Sequence, residues 1–144
     1  MPDIAAEAAE AQELLERGFT GALGLRVEEA TPDRLTLRWT VQPSQWQPYG
    51  ITHGGVYCTV VETVASVAAA LWLGDQGQVV GVSNHTDFLR AVREGDLVAT
   101  GTPIHRGRSQ QLWLVEIHDE RKRLVARGQV RLQNLRSSDQ LARS

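Results

Sequence analysis

The stretch Thr52-His53-Gly54-Gly55-Val56-Tyr57-Cys58 leads into a run, 56–73, that is 18 residues long and carries one charge, Glu62. A segment apolar on nearly every side reads as a helix enclosed by other elements. A carboxylate inside it is costly to bury unless it is paired, hydrogen-bonded or used in chemistry. The paired glycines at the helix start let other groups approach closely and leave backbone N–H donors free at the positive end of the helix dipole. The stretch thus combines a carbonyl-polarising end with a base or nucleophile two turns further on. By hydropathy alone the run competes as a membrane span. Thr59, Glu62, Thr63 and Ser66 interrupt it and its flanks carry no basic cluster, so a core helix buried on nearly all sides by sheet is expected.

At 144 residues the chain fits one domain, 1–144, with enough length for a real core. A net charge of -2 gives no reason to expect nucleic acid or an anionic membrane surface as partner. One cysteine excludes an intrachain disulfide. The start, Met1-Pro2-Asp3-Ile4, lacks the basic and apolar segments of a secretory signal, and a cytoplasmic protein is expected.

Outward from the core helix, residues 3–17 are rich in Ala, Glu and Leu and predict a helix ending near Gly18, which gives an N-terminal helical segment at 1–18. A first strand is expected over 23–30, then a turn at Thr31-Pro32-Asp33. Leu35, Leu37, Trp39 and Val41 alternate with polar residues, the period of a half-buried strand. The segment 43–52, with Pro43, Pro48 and Gly50, reads as a loop into the helix. After Gly74 come strands at 78–89, 96–105, 110–118 and 124–135 joined by short turns, which predicts an antiparallel sheet. Residues 137–144 are polar and read as a loose tail. One sheet cannot enclose so apolar a helix without leaving an edge and part of the helix for a second subunit, so a dimer or tetramer is expected.

In element order and in the pattern Gln47-x5-His53-Gly54-Gly55-x6-Glu62-x3-Ser66, the chain resembles the hotdog-fold acyl-CoA thioesterases. The resemblance covers roughly 20–135 and points to the branch of phenylacetate-pathway and Glu-type 4-hydroxybenzoyl-CoA thioesterases. It implies an α+β hotdog fold, a dimer often paired into a tetramer, active sites at the subunit interface, and hydrolysis of acyl-CoA or aryl-CoA thioesters without metal or organic cofactor. The family's acid falls on Glu62, which would attack the thioester or deprotonate water. Gly54 matches the amide that polarises the carbonyl, Gln47 the amide that orients water or the acyl oxygen, and Ser66 a hydroxyl on the face of Glu62. For the coenzyme A phosphates the resemblance points to Arg90 and the turn Arg106-Gly107-Arg108-Ser109, where arginine forks and backbone donors suit an anion.

Other residues carry less. His53 is given a loop-ordering role, because a helix N-terminus disfavours imidazolium. His85, His105 and His118 lack metal-ligand spacing, and Cys58 reads as a small buried side chain. Trp46, Tyr49, Tyr57 and Trp72 are candidates for an aromatic-acyl pocket and equally for core or interface. A hydratase reading ranks lower because no His follows Glu62 on the helix. A non-catalytic acyl-CoA-binding protein is the alternative from another class.

Overall fold

The computed structural model describes residues 3–136; the tail expected at 137–144 lies outside the described residues. Helix α1 spans Ile4–Leu15, with Asp3 as its N-cap accepting from the amides of Ala5 and Ala6 at 3.1 and 3.3 Å. A 3-10 turn over Gly18–Leu23 follows and ends at Gly24 in the left-handed region, φ 69°. The first strand therefore starts later than the sequence pattern suggests: β1 is Arg26–Thr31 and β2 is Arg34–Thr40. The core helix α2 is Gly54–Leu73, and the remaining strands are β3, Gln78–Phe88, β4, Asp96–Arg106, β5, Gln110–Asp119, and β6, Leu124–Leu135.

All neighbouring strands run antiparallel in one six-stranded sheet of order β1-β2-β4-β5-β6-β3, curled around α2. This is the hotdog fold. Leu35, Leu37 and Trp39 of β2, Leu97 and Ala99 of β4, Trp113, Val115 and Ile117 of β5 and Val130 and Leu132 of β6 are fully buried. They pack with Val60, Val61, Val64, Ala65 and Ala68 of the helix in one core. Each large aliphatic side chain so enclosed stabilises the fold by about 1.5 to 3 kcal/mol. The buried indoles keep their N–H groups satisfied, Trp39 on Gln45 at 3.2 Å and Trp113 on Gln111 at 2.8 Å.

One expectation is corrected. The sheet leaves a strip of α2 uncovered, along which Cys58, Thr59, Glu62, Thr63 and Ser66 remain partly exposed, with Glu62 at its edge against β3. Cys58 is accordingly half-buried rather than a core side chain. Strand β3 takes the outer place beside β6. Its far edge is unpaired in the single chain, with Val82 56% exposed and Phe88 54% exposed.

Candidate active site

The loop before α2 is tied down by its own hydrogen bonds. Gln45, 4% exposed, accepts from the amide of Gln42 and donates to the carbonyl of Leu23, and its own carbonyl takes the N–H of His53 at 2.8 Å. Thr52 donates both its amide and its hydroxyl to the Val92 carbonyl, each at 2.8 Å. The Trp46 indole donates to the Arg93 carbonyl at 2.8 Å, and the Arg93 guanidinium lies 5.2 Å from the Trp46 ring. These contacts fix the point at which the helix begins.

At that point His53 is the N-cap, its Nδ1 accepting the Gly55 N–H at 2.7 Å. A ring nitrogen that accepts carries no proton, so the bonded imidazole is the neutral Nε2–H tautomer. This gives His53 the loop-ordering place that the sequence suggested. The Gly54 N–H belongs to the set that a helix leaves without an internal partner. A β-carbon at Gly54 would lie 2.4 Å from the Phe88 ring, so glycine is required for the close approach of β3.

Beside Gly54 lies an open groove of about 330 Å³ lined by Gln47, Thr52, Tyr57, Phe88, Leu89 and Arg90 among others. Tyr57 and Phe88 stack at a tilt, ring centroids 6.0 Å apart. The buried Tyr57 hydroxyl lies near Thr52 without closing a hydrogen bond of good geometry. Burial pushes its pKa up, and the Thr52 hydroxyl opposes that shift. The side-chain oxygen of Gln47 accepts the Tyr49 amide, which leaves its NH2 group available to the groove. Of the aromatic residues considered for an acyl pocket, only Tyr57 lines this groove. Tyr49 is 90% exposed, Trp46 packs on Arg93, and Trp72 lies near the other end of the helix.

Glu62 sits two turns along α2, partly exposed. Its Oε2 accepts from the Asn84 amide at 3.3 Å, and its Oε1 lies over Gly81, where a β-carbon would come within 2.1 Å. Among the described residues no Lys, Arg or His forms an ion pair with it. The strand-arginine partner that a structural role would require is therefore missing from the described residues. Ser66 follows one turn later on the same face, and no hydrogen bond joins it to Glu62.

Within one chain these groups do not converge on one atom. Gly54 and Glu62 are eight residues apart, about 12 Å along the helix axis. The turn Gly107-Arg108-Ser109 lies farther still, at the end of the sheet near the C-terminus of α2. There Gln111 donates to the Ala69 carbonyl and Asn134 to the carbonyls of Gly107 and Arg108. Arg106 needs correction as a phosphate contact: its guanidinium donates to the Pro32 carbonyl at 2.7 Å and to Asp33 at 2.8 Å, and lies over Trp72. Arg108 is exposed, and Arg90 lies on the lip of the Gly54 groove. Among the described residues no group of three or more His, Cys, Asp or Glu side chains is placed to hold a metal ion.

A family model, the thioesterase superfamily, matches residues 49–126. An esterase-named protein of Mycobacterium tuberculosis is 52% identical over 120 residues, covering 81% of this chain and 86% of that protein. The 1,4-dihydroxy-2-naphthoyl-CoA hydrolase of Escherichia coli is 34% identical over 109 residues, covering 76% of this chain and 80% of the relative. Among solved structures, S. sahachiroi AziG is 54% identical with a TM-score of 0.82, over 84% of this chain and 98% of that one. A Haemophilus influenzae thioesterase is 29% identical with a TM-score of 0.84, over 90% of both. The chain belongs to the thioesterase superfamily.

Proposed function

We propose that this protein hydrolyses acyl-CoA thioesters to the free acid and coenzyme A, with Glu62 as nucleophile or general base. The observation that carries this is the carboxylate itself, the one acid of an apolar helix, partly exposed, with an amide donor on one oxygen and no ion-pair partner among the described residues. Attack by Glu62 on the thioester carbon would expel the thiolate and leave a mixed anhydride for water to cleave. In the base route, Glu62 takes a proton from the water that attacks. In either case charge grows on the carbonyl oxygen, where the Gly54 N–H and the helix dipole stabilise it, while Gln47 and Ser66 orient the acyl oxygen or the water. The groove with Tyr57, Phe88 and Leu89 favours an aryl acyl group, and one relative is named for a dihydroxynaphthoyl thioester. We propose a cytoplasmic setting.

The site needs two copies of the chain. Gly54 and Glu62 are about 12 Å apart along one helix and cannot both touch one carbonyl. Along the unpaired edge strand, Phe88 lies on Gly54, Gly81 on Glu62, and Asn84 donates to the Cys58 carbonyl between them. A two-fold axis through the middle of β3, pairing it antiparallel with its copy, would set Gly54 opposite Glu62 of the other chain. The same operation runs the two core helices antiparallel and brings the partner's turn at Arg108 toward the groove that holds Arg90. We assign that turn and Arg90 to the phosphates.

The test is thiol release from a panel of aryl- and alkyl-CoA thioesters, with Glu62→Gln as control. The variant keeps the shape, loses the charge, and is expected to lose turnover by about a hundredfold or more. A wild type that binds acyl-CoA without releasing thiol would favour a non-catalytic binding protein.

A further inference from the structure

The side chain that meets Glu62 is itself fixed from behind. Asn84 donates through Nδ2 to the Glu62 carboxylate at 3.3 Å and to the Cys58 carbonyl at 3.1 Å, and its Oδ1 accepts the Thr86 hydroxyl at 2.7 Å. A carboxylate and a carbonyl only accept, so the amide must turn its NH2 toward them. Thr86 then has one role left open, that of donor to the amide oxygen. If the amide flipped, an oxygen would face two acceptors, so the hydroxyl locks the productive orientation. Room for this hydroxyl comes from β6, where a β-carbon on Gly128 would lie 2.6 Å from Thr86 Oγ1.

We infer that Asn84 is a positioning residue for Glu62, held in its working orientation by Thr86. The inference rests on the reading of Glu62 as the group that does the chemistry. An amide donor fits that task better than a cation. It fixes Oε2 and leaves Oε1 against Gly81, which offers it no side chain, without neutralising the charge that nucleophilic or base chemistry requires. From β3 the groups facing the carboxylate are Gly81 and Asn84, both uncharged, while His85 pairs weakly with Asp87, and both of these are largely exposed.

Three variants test this. Thr86→Val keeps the shape and removes the lock, and should lower kcat several-fold with KM unchanged. Asn84→Ala should lower kcat by tens of fold, again at constant KM, and should have no further effect in a Glu62→Gln background. Asn84→Asp sets a second carboxylate against the first and should move the acid limb of the kcat–pH profile to higher pH. The Glu62 carboxyl carbon, followed by NMR as pH is varied, should titrate at higher pH in that variant, a readout independent of turnover. Variants that lower Tm but leave kcat, its pH profile and the carboxyl titration at wild type would overturn the inference and reduce Asn84 to a tie between β3 and α2. A wild type without thioester turnover would sink the proposed function and, with it, this inference.

Discussion

The His53 ring shows how one side chain can fix the start of the core helix. By capping Gly55 it anchors the first turn of α2 and so sets where the Gly54 N–H points. His53→Ala should cost about 0.5 to 2 kcal/mol of stability, the usual loss for an N-cap, and His53→Asn should recover most of it. Thermal unfolding of the two variants side by side measures the difference. Glu62 was legible from sequence because a lone acid in an apolar run is conspicuous. The direction of the Asn84 side chain was not, because nothing in the string Gly81-Val82-Ser83-Asn84 says which of its residues turn inward.

At the scale of elements, the answer lies in a bulge. Gly81 pairs with Leu132 and Asn84 with Val130, two inward-facing partners two residues apart on β6 but three apart on β3. The extra residue lets both Gly81 and Asn84 face the helix, which strict alternation forbids. The β5–β6 hairpin carries a second local device. Burial tends to raise the pKa of Asp119, but the Arg123 amide and guanidinium at 2.9 and 2.8 Å and the Arg121 amide at 3.0 Å outweigh it, holding the carboxyl below its usual range. A carboxylate lowered in the folded state stabilises above its unfolded value, about 3.9, and that contribution fades as pH falls through the folded value. Asp119→Asn should therefore be less stable than wild type at neutral pH. The gap should close below about pH 4 in a series of Tm measurements.

For the whole molecule, the decisive prediction concerns two chains. Mixing a Glu62→Gln chain with a Gln47→Ala chain should restore turnover, because in the heterodimer one of the two sites receives both intact halves. If each chain held a complete site, mixing would restore nothing. Sedimentation at micromolar concentration should show a dimer or larger assembly. The phosphate end is tested separately. Arg108→Ala should raise KM for a full CoA thioester, with kcat little changed, by about 1.5 to 3 kcal/mol in kcat/KM. A pantetheine thioester, which lacks the nucleotide, should be hydrolysed as by wild type.

Sequence alone was enough for whatever depends on local periodicity and on rare residues in distinctive settings. The alternation in 35–41, the strands after Gly74, the apolar helix and its single acid all read directly, because burial on one face repeats with the period of the backbone. Tertiary structure decided what depends on which distant groups meet. Arg106 looked free for phosphate until the β1–β2 turn was seen to take its guanidinium through Pro32 and Asp33. A bulge and a salt bridge over 73 positions leave no periodic trace in the chain, since each is set by contacts between segments far apart in sequence.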